Sequence, residues 1–328
     1  MNATTALPTP GRTCPIDYHY GPAVFCQPTP PELSGLEVLY VVGGLYGNEL
    51  ALDEVLRLFD AERGRKQLVF NGDFHWFDAD PATFDRIQQQ VLPHVALRGN
   101  VETELAHSQP VSDAGCGCAY PDWVDDAVVT RSNRILQRLW TAATPAHRAQ
   151  LAALPMWQTA SVGGMRLGLV HGDAQSLAGW GFAQEHLADA AHRRTVADWF
   201  TQAGVDAFAC SHTCLPVYQR IPRASGLPPG WVFNNGAAGM PNFQGDPAGL
   251  LTRIATTPCP VEAGHVSRAH VEQGGVHIDA LAITVPPTDV QQRFLAQWPP
   301  GSDAHASYFA RIAAGPTYQP QQVVRDQV

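Results

Sequence analysis

Alternating strand-type and helix-type segments, with short polar motifs directly after apolar runs, predict an α/β fold with a largely parallel sheet. Two observations carry this. From Leu36 the apolar period switches repeatedly between strand and helix spacing. In addition, the motifs Asn71-Gly72-Asp73, Arg98-Gly99-Asn100, His171-Gly172-Asp173 and Ser211-His212-Thr213-Cys214 follow the apolar runs Gln67–Phe70, His94–Leu97, Leu167–Val170 and Val205–Cys210. That layout puts a carboxylate, a carboxamide and two imidazoles at the carboxyl ends of strands, the edge of an α/β sheet where ligands collect.

Residues 1–33 read as an extended arm, punctuated by Pro8, Pro10, Pro15, Pro22, Pro28, Pro30 and Pro31. Glu37–Val42 is β-rich and ends in Gly43-Gly44. Leu50–Phe59 carries Leu52, Val55, Leu56 and Phe59 at helical spacing. Gln67–Phe70 is the next strand and Thr83–Val91 the next helix. A helical insertion is expected at about 103–156, with helices over Asp126–Trp140 and Thr144–Leu154. Ala160–Val162 and Arg166–Val170 form a hairpin around Gly163-Gly164, and Phe182–Phe200 reads as one helix. Val205–Ala209, Trp231–Phe233 and His277–Thr284 are further strands. The main domain is expected over 34–288. Residues 289–328 form a helical extension, broken at Trp298-Pro299-Pro300-Gly301.

The 328 residues, 45% hydrophobic and 16% charged, are enough for one large globular domain. A net charge of −9, with Lys66 as the only lysine, argues against nucleic acid as a main partner. No run approaches the ~18 apolar residues of a membrane span, and Met1 to Pro31 lacks the apolar core of a signal peptide. A cytoplasmic location and reduced thiols are therefore expected for the seven scattered cysteines. Gly43, Gly44 and Gly47 do not match a dinucleotide fingerprint.

Asp, Asn and His together make a mixed oxygen and nitrogen set suited to Mn, Fe or Zn. The order of motifs resembles the calcineurin-like metallophosphoesterase superfamily. The matching segments are Gly44-Leu45-Tyr46-Gly47-Asn48, Gly72-Asp73, Gly99-Asn100-Val101-Glu102, His171-Gly172, Ser211-His212-Thr213-Cys214 and the turn Asn234-Asn235-Gly236-Ala237. The resemblance implies a two-layered β sandwich flanked by helices and a two-metal site that hydrolyses phosphate esters. It further implies that Asp73, Asn100, His171 and His212 hold one metal. The remaining ligands of the other metal would fall at Gly44, Tyr46 and Cys214, where the usual side chains are missing, and Val101 stands where a proton-donating histidine can occur.

Three readings of that loss stand open. A single metal hydrolyses a small phosphorylated substrate, monoester or diester, because one Lewis acid can lower the pKa of bound water to ~7. Alternatively Tyr46 and Cys214, with His75, build a remodelled cage around Asp73. In the third reading catalysis is lost and the fold serves as a ligand-binding or scaffold protein.

His75, two residues beyond Asp73, is a candidate general acid; the competing reading packs it against Trp76 or Asp78. Arg98 is a candidate for a bidentate grip on phosphate, set against pairing with Glu102 or Glu104. Cys116-Gly117-Cys118 reads either as two ordinary loop cysteines or as a metal or redox pair. Arg131, Arg134 and Arg138 form either a solvated helix face or an edge to the pocket.

Overall fold

The computed structural model describes residues 10–109, 114–223 and 226–326. The first nine residues of the expected arm lie outside them. Two sheets stack face to face. One contains, in spatial order, β1 (Leu33–Leu36), β5 (Trp157–Val162), β6 (Met165–Val170), β7 (Ala207–Cys210), β9 (Gly230–Asn234), β8 (Val217–Ile221) and β13 (Val324–Arg325). The other contains β11 (Ser267–Gln273), β12 (Val276–Ile283), β10 (Gly249–Ala255), β2 (Val38–Val42), β3 (Lys66–Asn71) and β4 (Val95–Leu97).

Each sheet has a parallel run of three strands: β2, β3 and β4 at one side of the six-stranded sheet, and β6, β7 and β9 at the centre of the seven-stranded one. Successive strand residues point to opposite faces, so each central strand serves two cores. Leu39, Val41, Val69 and Leu97 meet Leu167, Leu169, Ala207 and Phe233 between the sheets. Val38, Tyr40, Val42 and Phe70 face the other way, onto α1 (Glu49–Ala61) and α2 (Pro81–Val91). Both helices start where a short polar side chain caps them: Asn48 accepts from the Ala51 N–H and Asp80 from that of Thr83. The seven-stranded sheet packs Phe208, Cys210 and Val232 against α7 (Ala190–Ala203) and Phe25. This is the two-layered sandwich flanked by helices that the motif order implies.

The segment around the expected insertion holds α3 (Asn100–Leu105), α4 (Asp126–Ala142) and α5 (Pro145–Ala152). The expected helix over Phe182–Phe200 is two: α6 (Gln184–Ala188) and α7, split where the Asp189 side chain accepts the Ala191 N–H and starts a new helix. The strands β1, β8, β10, β11 and β13 are additions to the expected set. In the C-terminal segment α8 (Pro287–Gln297) and α9 (Asp303–Ala314) flank the Trp298–Gly301 break. The Trp298 indole is buried and donates to the Phe77 carbonyl at 2.7 Å. Arg131 reaches Ser307, Arg134 pairs with Asp303, and Arg138 donates to the Gln297 carbonyl. These arginines tie the C-terminal helices to α4 from a face that stays partly solvated, with Arg134 and Arg138 exposed, and none of them lines the cleft, which corrects the pocket-edge expectation. Parts of the expected arm anchor onto the domain: Tyr18 and Phe25 are buried, and the Tyr18 hydroxyl meets Glu104 at 2.5 Å. Among the described residues no helix is long and apolar enough to cross a membrane.

Candidate metal centre

The carboxyl ends of β3, β4, β6 and β7 meet at one point between the sheets. Asn71, the last residue of β3, joins them there. Its amide donates to the Val170 carbonyl at 2.7 Å, while its own carbonyl accepts from Nδ1 of His171 at 2.9 Å and from the Ser211 hydroxyl at 2.8 Å. The chain then turns through Gly72 to Asp73, and Glu102 holds that turn. This fully buried carboxylate accepts the N–H groups of Asp73 (2.8 Å), Gly99 (2.8 Å) and His75 (3.3 Å). Gly99 has to be glycine: a Cβ there would lie 2.3 Å from Oδ1 of Asp73.

Four donor atoms converge on this point. Nε2 of His171 lies 3.1 Å from Oδ1 of Asn100, 3.3 Å from Oδ2 of Asp73 and 3.2 Å from Nδ1 of His212. The neighbouring hydrogen bonds decide which atoms carry protons. Nδ1 of His171 faces the Asn71 carbonyl and Nε2 of His212 faces the Cys118 carbonyl at 3.0 Å, so both of those nitrogens must be N–H. The Asn100 amino group donates to the Cys116 carbonyl at 2.9 Å, which turns its oxygen inward. Asp73, Asn100, His171 and His212 therefore present lone pairs to one another with no proton between neutral partners. That donor chemistry fits a bound cation, and its composition fits a borderline transition metal.

The electrostatics of the donor cluster follow from burial and from these contacts. Burial disfavours a charged His171, yet Asp73 and the Asn71 carbonyl outweigh it and hold the imidazole above its ordinary range. Burial likewise opposes a charged Asp73, but His171, His212 and the Val101 N–H bring it below the usual carboxylate range. Burial and the neighbouring His171 push His212 down to about 3, keeping it a neutral ligand.

Backbone strain is concentrated here. Tyr46, Asp73, Ala119 and Cys214 are the non-glycine residues with left-handed φ among the described residues, at 55°, 52°, 48° and 61°. Such conformations cost free energy and gather at functional sites. Three of the four line a cleft beside the donor cluster, and Ala119 lies between two lining residues, Cys118 and Tyr120. Aromatic rings wall this cleft: Tyr46, Trp76, Tyr120, Trp180 and Tyr308. No lysine or arginine lines it among the described residues.

The structure brings Asp73, Asn100, His171, His212, Tyr46 and Cys214 together, and it separates His75 and Arg98 from them. His75 is fully buried, stacked on Phe84 at 3.7 Å, with Nδ1 2.5 Å from Asp78. It faces the α2 core and does not line the cleft, which corrects the general-acid expectation. Arg98 does not line the cleft either, and its Nε is buried without a hydrogen-bond partner, so the structure does not place it against the donor cluster. Cys116 and Cys118 serve the site through their carbonyls, to Asn100 and His212, and form no disulfide. Sequence reasoning missed that use, as it missed the turn-holding role of Glu102 and the aromatic wall. A second group of metal-type side chains, His270, Glu272 and His277, lies on the β11–β12 hairpin, away from the cleft.

No protein-family profile and no curated protein matches the chain. Solved structures do. A hypothetical protein, PH1004, from Pyrococcus horikoshii superposes with a TM-score of 0.55 at 13% identity, over 86% of this chain and 99% of that one. A metallophosphoesterase from Sphaerobacter thermophilus gives a TM-score of 0.53 at 16% identity, over 86% and 100% of the two chains. The chain has the calcineurin-like metallophosphoesterase fold.

Proposed function

We propose that this protein hydrolyses a small phosphorylated substrate with one divalent transition metal, Mn, Fe or Zn, held by Asp73, Asn100, His171 and His212. The supporting observation is the convergence of four bare donor atoms, fixed by the hydrogen bonds of Asn71, Cys116 and Cys118. A metal bound there supplies a Lewis acid for a phosphoryl oxygen and lowers the pKa of water beside it. The chain's own residues do the rest. The Asn71 and Cys118 carbonyls lock both imidazoles in the liganding tautomer, as outer partners of metal sites do. Glu102 holds the strained turn that aims Asp73. The aromatic walls exclude water and hold the organic part of a substrate against the donors.

The test is turnover of p-nitrophenyl phosphate and bis(p-nitrophenyl) phosphate after chelation and reconstitution with Mn, Fe or Zn. Activity that disappears with chelator and returns with one ion supports the proposal. Absence of turnover with every ion would leave a ligand-binding protein on the same fold.

A further inference from the structure

Gly44, Tyr46 and Cys214, the three positions without conventional ligands, are not simply vacant, because they pack against one another. A Cβ on Gly44 would lie 2.7 Å from Cε2 and Cζ of the Tyr46 ring and 2.8 Å from its hydroxyl. The ring thus occupies the space that a side chain at residue 44 would enter. The Tyr46 hydroxyl lies 2.6 Å from Sγ of Cys214, whose carbonyl is in turn held by Arg311 at 2.8 Å. Glycine makes room for the ring and the thiol holds its tip. Tyr46 and Cys214 adopt left-handed backbone to do this, and both line the cleft with Asp73, Asn100 and His212.

We propose that Tyr46 fills the place of a second cation, and that the cleft takes a singly charged phosphodiester bearing a planar aromatic group, rather than a doubly charged monoester. The inference rests on the single-metal hydrolase reading and specifies its substrate. The phenol O–H turns from Cys214 to a non-bridging phosphoryl oxygen, and the Cys214 S–H then donates to the phenol oxygen, so both groups stay paired.

Charge accounting favours the diester. One divalent ion on Asp73 leaves a single net positive charge, and buried Glu102 behind the Asp73 turn reduces it further. Arg311 is committed to the carbonyls of Cys214 and Pro241. The second negative charge of a monoester would be buried without a partner, which is costly in a desolvated site. Trp76, Tyr120, Trp180 and Tyr308 supply flat apolar faces on which an aromatic ester group or a base can pack.

The experiment combines metal analysis with calorimetric binding of diphenyl phosphate and phenyl phosphate to the metal-loaded protein. Expected results are one ion per wild-type chain, two in Gly44→Asp/Tyr46→His/Cys214→His, and diphenyl phosphate bound at least about tenfold more tightly than phenyl phosphate. Tyr46→Phe should keep its ion and bind diphenyl phosphate about ten- to a hundredfold more weakly, the size of one lost hydrogen bond to a charged group. Two ions in the wild type, equal or tighter binding of phenyl phosphate, or an unchanged Tyr46→Phe would each overturn the inference. Should the triple variant not fold, the Tyr46→Phe and ligand comparisons still decide. A diester preference with one ion but no turnover would support this inference while refuting hydrolysis. A wild type that binds no ion would refute both.

Discussion

Nε2 of His171 lies 3.1 Å from Oδ1 of Asn100, and in the neutral site neither atom has a proton to share. Both are turned inward by hydrogen bonds on their far sides, to the Asn71 and Cys116 carbonyls. The fold therefore spends well-formed hydrogen bonds to hold an unfavourable contact, which a cation would convert into a favourable one.

Asn71 couples that contact to the sandwich itself. Asn71→Ala removes the buried donor to the Val170 carbonyl between the two sheets. A loss of about 1–3 kcal/mol in unfolding free energy is expected, read by urea denaturation. Because the backbone carbonyl that receives His171 remains, metal content should persist in the folded fraction.

Glu102 acts one step further back. Glu102→Gln puts an amino group where the carboxylate accepts the N–H groups of Asp73 and Gly99. Metal affinity should fall by about ten- to a hundredfold, the usual effect of losing an outer partner. Competition with a chelator of known affinity measures it. An unchanged affinity would mean that the Asp73 turn holds without Glu102.

His75 should matter for stability and not for chemistry. His75→Asn can keep a hydrogen bond to Asp78 but gives up stacking on Phe84. A cost of about 1–3 kcal/mol is expected, from lost packing and a small cavity. Turnover of the folded variant should stay within a few-fold of wild type. A drop of 10²–10⁴ would instead mark His75 as a proton donor.

Acid should destabilise the fold in part through histidines outside the site, alongside His212 within it. Burial holds His94 and His265 below the ordinary imidazole range, so both remain neutral in the folded chain while unfolded-chain imidazoles near pH 6.5 gain protons. Below about pH 6.5 the unfolded state then binds more protons, and stability falls as pH drops. Denaturation midpoints between pH 5 and 7.5 should show this trend, flattened in His94→Gln/His265→Gln. A double variant with the wild-type slope would assign the acid sensitivity elsewhere.

Much of this architecture is legible in the chain because the central strands are short apolar runs that end in chemistry-bearing motifs. Asp73, Asn100, His171 and His212 lie beyond the ends of β3, β4, β6 and β7, so strand order alone brings them to one edge. Strand β10 escapes notice because Arg253 reads as a surface residue; it is fully buried, paired with Glu62 and Asp279 from distant segments. Strand β11 is a mostly polar edge without clear alternation. His75 misleads for a geometric reason. Two residues beyond Asp73 it reads as facing the site, but the left-handed backbone at Asp73 turns the chain back toward α2. The cleft wall gathers Trp76, Tyr120, Trp180 and Tyr308 from four separated segments, which no local pattern connects. The ring of Tyr46 over Gly44 is a local contact that depends on left-handed backbone at both residues, and its partner Cys214 comes from a distant segment.

The most direct test of the central claim is metal content per chain, for wild type and His171→Ala, in protein purified without added metal and after reconstitution. The account predicts about one Mn, Fe or Zn per wild-type chain and none in the variant. A wild type that binds no metal after reconstitution, or a His171→Ala protein that keeps its ion, would contradict it.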